Sequence, residues 1–206
     1  MPRLLKSSLL LVLALLAMTP AQAEDADTSA AIAVVQTLND GLQAEMNGPV
    51  GASFEERYAL LQPLMSQTFD YPYMAQVAAG RFWAGFTPAE QAEYAQLFER
   101  VSVAAAASRF KSKPGRAFSI GGTREAQEGR RYVETTLTVP GRDPLKIAYL
   151  LQQDAAGTWK AVDLFYNGTV SELATKRSEY TSVLKQEGLA VLLSKLTAKV
   201  AQYAAE

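Results

Sequence analysis

From Thr28 to Met46 apolar residues recur every three or four positions, at Ala31, Val35, Leu38, Leu42 and Met46, and Asn47-Gly48-Pro49 ends the run. That spacing predicts one amphipathic helix. Ser53-Phe54-Glu55-Glu56 has the Ser-x-x-Glu form of a capping box and starts a second helix through Tyr58 and Leu61. Pro63 lacks an amide donor and crowds the preceding turn, so this helix is expected to break or kink there before resuming toward Phe69. A short helix from Tyr71 to Trp83 presents Met74, Val77, Ala78 and Phe82 on one face. Thr87-Pro88-Ala89-Glu90 is a second capping box with proline at the first helical position. Its helix turns Tyr94, Leu97, Phe98, Val101 and Ala105 inward and Glu93, Gln96, Glu99 and Arg100 outward. The alanine-rich end, Val103 to Ala107, permits close approach of another element.

After Pro114-Gly115 the period falls from 3.6 to 2. Ala117–Gly122, Arg131–Pro140, Leu145–Gln153 and Thr158–Phe165 read as four strands, separated by Gly129, Gly141-Arg142-Asp143-Pro144 and Asp154-Ala155-Ala156-Gly157. Turns this short imply antiparallel neighbours. Val133, Thr135, Leu137 and Val139 face one way and Glu134, Thr136 and Thr138 the other, so one sheet face is buried and the other meets water. Thr169-Val170-Ser171-Glu172 reads as a third capping box and opens a helix to about Lys185. After Gly188, Leu189, Leu192, Leu193, Leu196, Val200 and Tyr203 form the stripe of a last helix.

The N-terminus changes where such a domain would work. Arg3 and Lys6 precede an apolar run from Leu9 to Met18, and Ala21-Gln22-Ala23 fits a small-residue cleavage site, so residues 1–23 read as a cleavable signal peptide. The run is well short of the roughly 20 residues that span a bilayer, although an uncleaved inner-membrane anchor remains the alternative. Cleavage removes two of the 20 Lys+Arg and none of the 21 Asp+Glu, leaving 18 against 21, a net charge of −3. That balance gives no footprint for nucleic acid. Neither cysteine nor histidine occurs. Ser-His-Asp triads, cysteine nucleophiles and His/Cys metal sites are therefore excluded. What survives is carboxylate, tyrosine or lysine chemistry, or no chemistry.

Helices, a four-stranded meander, then helices describe an α+β domain over 24–206 with helices packed on one face of an antiparallel sheet. Phe69-Asp70-Tyr71, Gly80-Arg81-Phe82-Trp83, Thr87-Pro88-Ala89-Glu90-Gln91, Phe98, Trp159-Lys160-Ala161-Val162-Asp163 and Tyr180 after Arg177-Ser178-Glu179 carry a family resemblance. The chain resembles the MlaC, or toluene-tolerance, family of periplasmic phospholipid-binding proteins over essentially its whole length. Val35-Gln36-Thr37-Leu38-Asn39-Asp40-Gly41-Leu42, Glu56-Arg57-Tyr58, Asn167-Gly168-Thr169-Val170-Ser171 and Lys176-Arg177-Ser178-Glu179-Tyr180 are most similar to its hopanoid-biosynthesis-associated HpnM branch. The resemblance implies an NTF2-like, MlaC-like fold whose apolar cavity takes acyl chains, or a hopanoid, and leaves the head group at the mouth. It also implies a periplasmic location, no catalysis, transient membrane contact, and exchange with an inner-membrane ABC-type transporter and an outer-membrane lipoprotein complex. Val170-Ser171-Glu172 departs from the family's more apolar turn, which leaves the details of that mouth open.

The cavity-lining candidates are Met74, Val77, Phe82, Leu97, Phe98, Val101, Phe110, Val133, Leu137, Ile147, Tyr149, Val162 and Leu164. Read by periodicity alone, each is equally an ordinary core residue. Arg81 follows the Met74–Val77–Ala78 face and is a candidate to snorkel to a lipid head group or to form an internal salt bridge. Asp163 alternates with Val162 and Leu164 and should face away from both; Arg177 is its expected structural partner, with a lipid contact as the alternative. Two other function classes stay open. One is a ketosteroid-isomerase-like enzyme with Asp163 as base and Tyr149 as oxyanion donor; the other is a lipid-free adaptor of a membrane complex. Lys111-Ser112-Lys113-Pro114-Gly115-Arg116 is the best basic cluster, placed to approach an anionic head group or merely to solvate the surface.

Overall fold

The computed structural model describes residues 20–48, 50–112 and 115–206; the leader run from Arg3 to Met18 lies outside the described residues. Six α-helices and five strands follow in the order α1 Pro20–Asn47, α2 Phe54–Thr68, α3 Tyr71–Ala79, α4 Pro88–Arg109, β1 Ala117–Glu125, β2 Arg131–Thr138, β3 Leu145–Gln153, β4 Trp159–Tyr166, β5 Val170–Ser171, α5 Glu172–Gln186 and α6 Leu189–Ala205. The strands form one antiparallel sheet in sequential order. This is the expected α+β architecture with one strand more than the four read from the sequence. The extra strand, β5, is two residues long, too short to leave a periodic signal, and pairs Phe165 with Ser171 and Tyr166 with Val170.

Local chemistry accounts for most boundaries. Ser53 caps α2 and Thr87 caps α4, each in a complete box with Glu56 and Glu90. Contrary to expectation, α2 continues through Pro63. Leu61 and Met65 on either side of it are buried, so tertiary packing outweighs the lost hydrogen bond. The expected helix from Tyr71 to Trp83 divides in two: α3 stops at Ala79, and Gly80–Gly85 winds as a 3-10 helix. Gly80 makes the break at φ 57°, where a Cβ would meet Thr181 Cγ2 at 3.3 Å and Arg177 Nε at 3.4 Å. The third capping box does not form. Ser171, not Thr169, caps α5, accepting from the Ala174 amide at 2.8 Å, because residues 167–171 are spent on a turn and on β5.

Val133, Thr135 and Leu137 of β2 are buried while Glu134 and Thr138 are exposed, so one face of this strand meets the helices. Helices α1, α2, α3 and α5 all touch β4, the best-covered strand. Beyond the reach of β5, the outer edge of β4 is closed by the chain between α2 and α3. Phe69 bridges Ala161, the Asp70 amide donates to the Ala161 carbonyl at 3.0 Å, and the Lys160 ammonium holds the Gln67 carbonyl. Asp70 then caps α3 by accepting from the Tyr73 amide at 3.0 Å. The Phe69-Asp70-Tyr71 motif thus closes a strand edge and starts a helix in three residues.

Candidate functional site

Along α4 the side chains facing inward change size. Tyr94, Leu97, Phe98 and Val101 fill the first half and are buried. Ser102, Ala105, Ala106 and Arg109 follow at helical spacing, and Phe110 lies next to them. Opposite these small residues the layers fail to meet. A cleft of about 450 Å³ remains between α4, Leu38 and Leu42 of α1, Met65 of α2, Tyr71 and Met74 of α3, and the inner side of β2–β4 at Leu137, Leu145, Ile147, Tyr149 and Leu164. Its wall is mostly apolar, and its volume lies within the range of small-molecule sites.

Charge collects at one part of the wall. Arg109 at the end of α4, Arg116 before β1, Arg142 in the β2–β3 turn, and Glu172 and Lys176 of α5 all border the cleft with Tyr166. Lys176 reaches Glu172 at 3.2 Å across one helical turn. Burial alone pushes the Lys176 ammonium down, but Tyr180, Glu172 and Tyr203 outweigh it and hold its pKa above the ordinary lysine value. Burial, reinforced by Glu172, raises the Tyr166 phenol while the Arg109 and Lys176 cations pull it back. Arg116 Nε and the Tyr71 hydroxyl, both in the wall, are buried and have no hydrogen-bond partner among the described residues. Burial drives the Tyr71 phenol well above its usual range, with Glu99 and Tyr58 adding to the effect.

Of the candidate lining residues, Met74, Phe110, Leu137, Ile147, Tyr149 and Leu164 border the cleft. Leu97, Phe98, Val101, Val133 and Val162 do not; they are sealed in the core at 6 % exposure or less. Val77 and Phe82 pack on the core elsewhere. Phe98 sits in a net of rings, with centroids 6.4 Å from Tyr94, 6.3 Å from Tyr71 and 6.2 Å from Tyr180. Trp83 and Phe86 extend that net, the first tilted and the second edge-on against Tyr94, while the Gln91 amide donates to the Trp83 carbonyl at 3.1 Å. The Gly80-Arg81-Phe82-Trp83 and Thr87–Gln91 signatures therefore lock the 3-10 turn onto the start of α4.

The three polar candidates lie away from the cleft. Arg81 is exposed, its guanidinium 5.1 Å from the Phe82 ring, in a shallow surface groove shared with Arg177. The expected Asp163–Arg177 pair is corrected by the structure. Asp163 instead accepts from the Ser171 hydroxyl at 2.6 Å, the Leu164 amide at 2.7 Å and the Leu173 amide at 3.0 Å, fastening the start of α5 to β4. A β-bulge is the reason alternation misplaced it: Leu150 pairs with Asp163 and Leu151 with Ala161, so Val162 is an extra residue and 161–163 are all buried. Burial pushes the Asp163 carboxyl above the ordinary aspartate value, against the pull of its three donors. Leu38 and Leu42 were legible in the helical stripe but not as lining. The Arg109–Arg116–Arg142 gathering joins residues distant in sequence and left no local signal. Lys113 and Pro114 of the basic cluster lie outside the described residues, and the Lys111 ammonium donates to the Glu206 backbone oxygen at 2.5 Å.

Among the described residues no group of carboxylates could hold a metal ion, and no helix is long and apolar enough to cross a membrane. A family model described as MlaC protein matches residues 33–198. The chain belongs to the MlaC family. A solved structure of a phospholipid-binding protein from Ralstonia solanacearum, in complex with a phospholipid, is similar with a TM-score of 0.73 and 23% sequence identity, over 84% of this chain and 98% of that one. At that identity the likeness establishes a shared MlaC-like fold. No curated protein matches the chain.

Proposed function

We propose that this MlaC-family protein is a periplasmic lipid carrier, exported by residues 1–23, whose domain at 24–206 takes lipid tails into the cleft and shields them from water. The observation that carries this reading is the 450 Å³ apolar cleft, opened by Ser102, Ala105 and Ala106 on one face of α4 and bordered by charge at Arg109. Withdrawing roughly 400 Å² of tail surface from water is worth about 10 kcal/mol, enough to hold a lipid in transit. The cargo is a phospholipid or, given the likeness to the hopanoid-associated branch, a polycyclic triterpenoid. Its exchange partners are an inner-membrane ABC-type transporter and an outer-membrane lipoprotein complex.

An isomerase reading loses its base. The Asp163 carboxylate does not border the cleft and already accepts three hydrogen bonds. Tyr149 does border the cleft, but the lining carboxylate there, Glu172, is paired with Lys176 at 3.2 Å rather than with a phenol.

Native mass spectrometry of the exported protein, purified without detergent, tests the carrier reading. A stoichiometric phospholipid or hopanoid is expected among the released molecules. A protein that stays empty after incubation with both lipid classes would favour the lipid-free adaptor instead.

A further inference from the structure

We propose that the cleft selects lipids whose head group carries net negative charge, discriminating against zwitterionic heads; this rests on the carrier reading above. The geometry that carries it is an imbalance in the wall. Arg109, Arg116, Arg142 and Lys176 border the cleft against a single lining carboxylate, Glu172. They arrive from four different segments of a chain whose overall formal charge is −1, so the wall concentrates cations that the rest of the molecule outweighs. Glu172 is already paired, through Oε1, with Lys176 at 3.2 Å.

A head group with both a phosphate and an ammonium would find four cations for the first and one carboxylate, already shared with Lys176, for the second. One bearing phosphate and neutral hydroxyls would leave nothing unmatched. Arg116 sharpens the argument. Its Nε is buried and has no hydrogen-bond partner among the described residues, and a buried unsatisfied donor is costly. A phosphate oxygen satisfies it, and the planar guanidinium suits phosphate bidentately. Lys176 retains its charge at this depth, since the negative potential around it overrides the effect of burial. The buried, unpartnered Tyr71 hydroxyl gives the same wall a second polar contact, fitted to an acceptor such as an ester carbonyl of the lipid.

The test is competitive loading. The exported protein is incubated with vesicles of equimolar phosphatidylglycerol and phosphatidylethanolamine with identical acyl chains, re-isolated, and its bound lipids are quantified by mass spectrometry. Because both lipids come from the same vesicle surface, attraction of the protein to that surface cancels. Phosphatidylglycerol is expected to be enriched by on the order of tenfold, the scale of one charge-assisted hydrogen bond. In Arg116→Gln, and separately in Arg109→Gln/Arg142→Gln at two exposed positions, the ratio should fall toward one. Reading a ratio within each sample removes any change in total loading. Equal loading of the two lipids by the wild type, or enrichment that survives in both variants, overturns the selectivity. Absence of both lipids overturns the phospholipid form of the carrier reading, and the selectivity with it. A parallel arm adds inorganic phosphate at millimolar concentration: loss of enrichment there would reassign the cations to a free anion and overturn the proposal, whereas unchanged enrichment supports the lipid source.

Discussion

The two halves of α4 face the same interior with opposite results. From Tyr94 to Val101 the helix meets Tyr71, Tyr180 and Trp83 in a closed ring cluster; from Ser102 to Arg109 it borders the cleft. The backbone of the helix is continuous across the change. What differs is side-chain volume, and the comparison teaches that a hollow can be made within an ordinary layered core by small residues at three helical positions. Helix α5 spans both regions: Glu172 and Lys176 border the cleft, and Tyr180, one turn beyond Lys176, enters the ring cluster.

Damage to the closed half should be the most severe. Phe98→Ala is expected to cost about 3–5 kcal/mol in chemical denaturation, because the ring is 1 % exposed and touches three other rings. A loss below about 1 kcal/mol would mean this region is as loosely packed as the cleft. Filling the hollow half should do the reverse. Ala105→Phe is expected to change stability by less than about 1.5 kcal/mol while removing most of the lipid seen by native mass spectrometry. Undiminished loading would show that tails lie elsewhere.

The smallest effect concerns the fastening of α5. The folded-state pKa of Asp163 is raised, so the native protein binds its proton more tightly than the unfolded chain does. Stability should therefore fall as pH rises through the window from the ordinary aspartate value of 3.8 to the raised one, and level off above it. Asp163→Asn should flatten that part of the profile and cost about 1–2 kcal/mol at neutral pH through its weakened contacts to Ser171 and Leu173. Parallel wild-type and variant profiles in urea melts between pH 3 and 7 would contradict the assignment.

Much of the fold was legible because its elements carry strong local signals. Two capping boxes, the helical stripes and the switch to period 2 at Ala117 each correspond to an element. The failures are places where a non-local contact wins: Pro63 inside a packed helix, Gly80 pressed against Arg177 and Thr181, and Val162 inserted as a bulge. The cleft was half legible. Periodicity marks which residues face inward, as for Phe98 and Tyr149 alike, but not whether anything fills the space they face. Phe98 is enclosed by rings supplied from α3, α4 and α5, whereas Tyr149, with the Phe69 ring at 6.4 Å on one side, borders the cleft. The charged wall was illegible for a related reason. Arg109, Arg116 and Arg142 come to border one cleft only in the folded chain, and each alone reads as solvated surface.

The stripe of Ser102, Ala105 and Ala106 has an evolutionary consequence. A chamber made by a strained loop or an unusual backbone would have to be rebuilt to change its contents, with every intermediate at risk of misfolding. Here the chamber is set by side-chain length at a few positions of a regular helix. Its capacity can be re-cut one methyl group at a time, by single codon changes that leave every backbone hydrogen bond in place. A lineage with such a helix can drift from one cargo to another while its ancestry remains written in the fold.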